Sequence, residues 1–188
     1  MHTFIKKTAE LIFRDYQIYK IYFIDIQNYE SSDLDINLQE LPGVFRTIQL
    51  SDDHPAGFSG PESYGYEYLS SLSHTEALAQ CWYWYGERYK VRNFWPLNEE
   101  EAKLVDIETT QKARGMGIAP ALIAYSCAQM KQNGFKKLYA RIWHSNKPSI
   151  KAFSKAGWQP LKTIIEFYFL GRKRRLEFIS RKRKTFFF

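Results

Sequence analysis

Arg114-Gly115-Met116-Gly117-Ile118-Ala119 is the stretch of this chain whose residue types and spacing best suit chemistry. Two glycines one residue apart let a backbone bend sharply and let a ligand approach it closely. The stretch separates a run that reads as a strand, Leu104–Thr110, from one that reads as a helix, Ile118–Asn133. A helix starting there points unpaired N–H groups and its positive dipole end outward. That predicts an anion site, with a phosphate or diphosphate as the usual guest. It is not a dinucleotide fingerprint, which needs a third glycine, nor a Walker loop, which needs Gly-Lys-Ser/Thr. Asp106 and Glu108 stand two apart on the preceding strand, so both carboxylates face one side. Like charges this close raise at least one pKa; the plainer alternative is a solvent-wetted face.

The elements that must position these residues are readable in outline. The spacing predicts a first helix over Lys6–Tyr16, a strand over Gln17–Ile26 and a polar loop or irregular helix over Asn28–Glu40. Val44–Leu50 reads as a short strand and Ser51–Ser63 as a loop. Leu78–Tyr85 reads as a strand, Gly86-Glu87 as a turn, and Tyr89–Phe94 as a strand pairing back in a hairpin. After the glycine loop and its helix, which stops at Gly134, comes a strand over Lys137–Trp143. A short helix then runs from Pro148 to Gly157. Strands crowd the first half, and helices interleave with strands in the second. That predicts an α/β fold with a central mixed β-sheet and helices on both faces.

Together, the glycine loop and the Asn146-to-Gly157-Trp158 segment resemble the GNAT superfamily of acyl-CoA-dependent N-acyltransferases. Arg114, Gly117 and Ala119 match its Gln/Arg-x-x-Gly-x-Gly/Ala signature, and Asn146 opens a helix ending in Gly-aromatic. The resemblance covers roughly residues 102–170. It implies that acetyl-CoA or another acyl-CoA is the co-substrate, with its diphosphate on the amides of Gly115, Met116, Gly117, Ile118 and Ala119. Arg114 would add charge there; its plainer role is a solvated turn arginine. The pantetheine arm would pair with the backbone at Ile107 and Thr109, where an amide can hydrogen-bond the thioester carbonyl. Asn146 would contact the same arm, and it also suits a helix N-cap. The family's tyrosine seven residues later, which protonates the departing thiolate, is here Phe153, which carries no proton to give. For the base that deprotonates the amine, Glu108 is the first candidate, with His144 and Asp106 beside it. A backbone-bonded loop histidine is the alternative for His144. No metal is expected.

The 45% hydrophobic composition of 188 residues suits one domain. Residues 1–101 would shape the acceptor site, 102–170 would bind acyl-CoA, and 171–188 would form a basic strand and tail. That last segment holds eight basic side chains against Glu177, which accounts for the whole net charge of +7. Ile164–Leu170 and Lys173–Ile179 read as a hairpin whose charges guard an exposed edge. The sharper alternative is attraction of residues 172–184 to an anionic surface. The stacking pattern of a nucleic-acid module is absent, and a homodimer is left open. Tyr64, Tyr66, Tyr68, Trp82, Tyr83, Trp84, Tyr85 and Trp95 suit core pairs, with one or two facing a cleft. Cys81 and Cys127 read as buried free thiols. No spanning apolar run or signal-peptide core is visible, so a cytoplasmic protein is expected. The expected function is N-acetyl transfer from acyl-CoA to a small-molecule or protein amine. The alternatives are a non-catalytic CoA-binding protein and an anionic-surface-binding module.

Overall fold

The computed structural model describes residues 13–30, 41–48, 57–73, 75–92, 94–169 and 172–180. The strands are β1 (Phe13–Asp25), β2 (Gly43–Thr47), β3 (Ser63–Ser70), β4 (Ala77–Trp84), β5 (Glu101–Thr109), β6 (Lys137–Trp143), β7 (Gln159–Phe169) and β8 (Arg172–Ile179). The helices are α1 (Gly86–Lys90), α2 (Ile118–Gln132) and α3 (Lys147–Lys155), with a 3-10 turn at Gln111–Ala113. One sheet runs in the order β2-β3-β4-β5-β6-β1-β7-β8. Every neighbouring pair is antiparallel except β5 with β6, which is parallel.

The sheet is therefore mixed, and it is covered on both faces. On one face α2 and α3 bury a core that includes Tyr22, Ile24, Cys81, Tyr83, Leu104, Ile142 and Phe153. On the other, Tyr19, Ile21, Tyr139 and Ile164 are covered by Phe94, Trp95 and Leu97, from the chain after α1. Strand alternation sorts these residues: Tyr19 and Ile21 point one way, Tyr22 and Ile24 the other. Both cysteines are free and buried in the same core, Cys81 on β4 and Cys127 on α2.

Three local expectations are corrected. The first helix was to end at Tyr16, but Phe13–Tyr16 belong to β1; Lys6 to Ile12 lie outside the described residues. At Phe13 and Arg14 strand β1 already pairs with Phe169 and Tyr168 of β7, backbone partners that a helix here would forfeit; β6 joins its other edge from Tyr19. Tyr89–Phe94 forms no hairpin. Both edges of β4 are already taken by β3 and β5, so the chain after Trp84 turns into α1 instead. Tyr89, buried there, donates its hydroxyl to the Trp95 carbonyl at 2.7 Å. Strand β3 has no counterpart in the sequence expectations; Tyr64, Tyr66 and Tyr68 alternate along it. The expected loop over Asn28–Glu40 and the strand end at Gln49–Leu50 fall largely on residues outside the description.

Helix α2 is nearly apolar all round and is pinned to β4 by a buried polar chain. Ser126 Oγ donates to the Ile123 carbonyl at 2.9 Å, which leaves it to accept from the Tyr83 hydroxyl, also at 2.9 Å. Tyr83→Phe removes that single bond in a dry site. It is expected to cost about 1 kcal/mol in urea denaturation with unchanged far-UV circular dichroism; an unchanged midpoint would mean that the bond contributes nothing net.

Candidate active site

Parallel pairing of β5 with β6 runs only from Glu101↔Lys137 to Leu104↔Ala140. Beyond it the strands splay. A register shift in the β4–β5 ladder falls at the same level: Trp82 faces Asp106 and Tyr83 faces Leu104, so Val105 is an extra residue. A bulge of this kind bends its strand and increases its twist, which swings Val105–Thr109 away from Arg141–Trp143. One edge of Val105–Thr109 is therefore without a strand partner among the described residues, and its backbone groups are available to a ligand. Ile107 and Thr109, expected to meet the pantetheine arm, lie on this stretch.

The free edge leads directly to the glycine loop. The Gln111–Ala113 turn buries Ala113 as an anchor, and Lys112 pairs with Glu76. Gly115 and Gly117 then take φ of +84° and +79°, which favour glycine, and a Cβ at either position would meet nothing within 4 Å. Gly117 caps α2 with no side-chain bond and no acid in the first turn. Pro120 removes one N–H, so the donors of the helix start end at Ala119. Met116 is 53% exposed beside this open space. Arg114 donates through Nε to the Thr109 carbonyl at 3.3 Å, tying loop to strand end. Thr110 Oγ1 is buried with no hydrogen-bond partner among the described residues. An open amide cradle, an unpaired strand edge and an orphaned hydroxyl fit a ligand with a diphosphate and an amide-bearing arm.

The acids lie on the other face. Ile107 faces Cys81 in the α2 core, so Asp106, opposite Trp82, and Glu108, opposite Gln80, point away from the helices. Burial first, and then the Glu108 carboxylate, hold the Asp106 carboxyl above the usual carboxylate range, while Arg92 pulls it down. The like-charge pair thus places its upward shift on the half-buried Asp106; Glu108 is exposed.

On the β6 arm, His144 is exposed and its Nδ1 lies 3.1 Å from the Ile18 carbonyl, the backbone-bonded arrangement named as its alternative. Asn146 caps α3, accepting from the Ser149 N–H at 3.2 Å. Phe153 is 2% exposed, edge-on to Trp158 with ring centroids 5.0 Å apart. It is a core side chain between sheet and helix.

Sequence reasoning passed over Lys103. It is 2% exposed on the same face as Asp106, with its amine against the Phe94 ring and 5.6 Å from the Tyr89 centroid. Burial, then Arg141 and Arg92, hold its pKa down at about 5. The only available signal was its alternation with Glu101, opposite Ala102 and Leu104. A separate cleft of about 570 Å³, lined by Gln27, Leu97, Glu100 and Lys136, lies at the far end of β5 and β6 from the splay. Among the described residues no three His, Cys, Asp or Glu side chains gather as metal ligands, and no helix is long and apolar enough to cross a membrane.

The chain matches the model of the Acetyltransferase (GNAT) family over residues 16–158, most of its length, and belongs to that family. The match extends the resemblance well upstream of residue 102. The fold is similar to that of a GCN5-related N-acetyltransferase from Sphaerobacter thermophilus, at 13% identity and a TM-score of 0.59 over 96% of this chain and 57% of that one. It is also similar to the glucosamine N-acetyltransferase region of a fungal multi-domain GH3 β-N-acetylglucosaminidase, at 15% identity and 0.58 over 94% and 22%. A tandem GNAT protein from the clavulanic acid biosynthesis pathway gives 9% identity and 0.54 over 83% and 55%. This chain spans 55–61% of the length of the first three structures it matches. No curated protein matches it.

The buried amine has a consequence for stability. Lys103 is neutral in the folded protein above about pH 5 but protonated in the unfolded chain up to about pH 10. The unfolded state binds the extra proton, so stability rises with pH through that window. Lys103→Met is expected to raise stability at pH 7 by on the order of a few kcal/mol, a gain that shrinks as pH approaches 10. A gain independent of pH in thermal melts would contradict the neutral amine.

Proposed function

We propose that the protein is an N-acetyltransferase that moves an acetyl group from acetyl-CoA to a primary amine by direct attack in a ternary complex. The observation that carries this reading is the continuity of the unpaired β5 edge with the open glycine start of α2. The two together form one track, with amide donors at the loop and strand pairing along the arm. Bound there, the co-substrate supplies an activated acyl carbon and a thiol that leaves tolerably as thiolate near neutral pH, with an ordinary pKa of about 8.5.

The residues divide the remaining work. Gly115, Met116, Gly117, Ile118 and Ala119 hold the diphosphate through backbone N–H groups, with Arg114 adding positive charge. Backbone at Ile107 and Thr109 aligns the arm, and an amide of this edge faces the carbonyl oxygen as charge builds on it. Asp106 and Glu108 take the proton from the incoming ammonium. Asp106 supplies the raised pKa, and Glu108 supplies part of the cause. His144 Nε2 is the second candidate base, since Nδ1 is engaged with Ile18. Asn146 adds an amide at the β6 arm without leaving its capping role. Phe153 donates nothing, so the thiolate takes its proton from solvent. Orientation of the two reactants by this frame accounts for much of the rate.

Thiol release from acetyl-CoA across an amine panel tests the reading. Turnover on any amine supports it; tight coenzyme binding with no turnover would make the protein a CoA-binding module instead. Gly117→Glu should weaken acetyl-CoA binding at least tenfold in calorimetry, because its carboxylate occupies the diphosphate cradle. Unchanged affinity in a folded variant would displace the site. Glu108→Gln should lower kcat near neutral pH and leave coenzyme affinity within about twofold. With the neighbouring charge gone, the Asp106 pKa falls, so the acid limb of the pH–rate profile moves to lower pH; an unmoved profile would remove the pair as base.

A further inference from the structure

Three basic side chains converge at the apex of the β5–β6 fork: the exposed guanidinium groups of Arg92 and Arg141, and the buried amine of Lys103. Lys103 sits one residue before the last parallel pair and Arg141 one residue after it, both facing away from α2. The Phe94 ring lies between them, with the Arg141 guanidinium carbon 4.8 Å from its centroid and the Lys103 amine against it. Arg141 also lies 5.4 Å from the Tyr19 ring and 5.3 Å from the Trp143 ring. Arg92 approaches from the other side, 5.1 Å from the rings of both Trp84 and Phe58. None of the three makes an ion pair among the described residues.

The nearest acid below them on β5 is already occupied. Glu101 receives the Tyr139 hydroxyl at 3.3 Å and the Asn98 N–H at 3.0 Å, and pairs with Lys137 at 3.8 Å. Above them, the bulge brings Asp106 within two residue steps of Lys103, because their partners on β4 are Trp82 and Trp84. That is about 7 Å along the sheet. One face thus carries two guanidinium groups with no ion pair among the described residues and, one step toward the glycine loop, a pair of carboxylates whose charge Arg92 offsets in part. Aromatic rings hold these guanidinium groups in place without neutralising them.

We propose that the acceptor is a small amine bearing an oxyanion, which the Arg92 and Arg141 guanidinium groups hold at the fork apex while its nitrogen meets Asp106 and Glu108. The inference deepens the acyl-transfer reading and rests on it for the position of the amine. The charge order also disfavours the reverse orientation, since an ammonium at the apex would face two guanidinium groups. Amino acids, amino sugar acids and phosphorylated amines share the required chemistry.

Matched acceptors separate these sources and test the idea. Tyrosine is compared with tyramine, and phosphoethanolamine with ethanolamine, in initial rates with saturating acetyl-CoA. The anionic member of at least one pair should show kcat/KM at least tenfold higher. Which pair responds tells carboxylate from phosphate. Arg141→Gln and Arg92→Gln should each raise KM for that acceptor and erase most of the preference. Equal or better turnover of the members that lack the oxyanion, or a preference that both variants retain, would overturn the proposal. If no acceptor is turned over, the acyl-transfer reading fails by itself, and calorimetry of tyrosine and phosphoethanolamine on the coenzyme-loaded protein still decides. Binding lost in Arg141→Gln upholds the anion site, and no binding to the unaltered protein refutes it.

Discussion

The structure depends on a pairing that stops. Strands β5 and β6 share backbone hydrogen bonds only as far as Leu104 and Ala140, and the extra residue Val105 turns β5 away at that level. A strand interior to a sheet does not normally leave one edge unpaired, because buried backbone polar groups need partners. The opening is therefore a place where the fold has withheld hydrogen bonds that a ligand can supply. The glycine loop follows at the end of the same strand, so the withheld edge and the withheld helix-start amides form one continuous surface.

The sheet separates two kinds of environment across its thickness. Toward α2 and α3 the side chains are mostly apolar, with buried polar contacts such as Tyr83 with Ser126 and Tyr66 with Met130 Sδ at 3.3 Å. Away from the helices the same strands carry Lys103, Asp106, Glu108 and Arg141. The dry face keeps the fork rigid. The other face holds the groups whose charges are perturbed, with Asp106 pushed toward protonation and Lys103 toward neutrality by burial and by their neighbours. Perturbed pairs of this kind concentrate where proton transfer or charge recognition takes place.

The basic C-terminal segment is built into the sheet as far as it is described. Strand β8 pairs along β7 from Lys162↔Ile179 to Phe169↔Arg172. Lys173 and Arg175 meet Glu166, and Arg175 and Lys162 meet Glu177. These exposed pairs contribute little stability individually, but the charges make an unattractive edge for another strand. Removing residues 172–188 would remove a strand as well as a charge patch, so attraction to an anionic surface has to be probed by charge substitution on β8 rather than by truncation.

Local chemistry was legible in the sequence wherever the deciding forces act within a few residues. The Gly115–Gly117 turn, the span of α2, the cap at Asn146, the limits of β6 and the shared face of Asp106 and Glu108 all follow from backbone freedom, helix ends and strand alternation. The hairpin assigned to Tyr89–Phe94 failed because the sequence does not show that both edges of β4 are occupied. The helix assigned through Tyr16 failed because it does not show that β1 has a strand on either side. Only the tertiary structure decided that Val105 is an extra residue, that β5 and β6 part company there, and that Lys103 and Arg141 arrive at the one Phe94 ring. Those outcomes depend on strand register between segments tens of residues apart, and register is set by packing across the whole sheet.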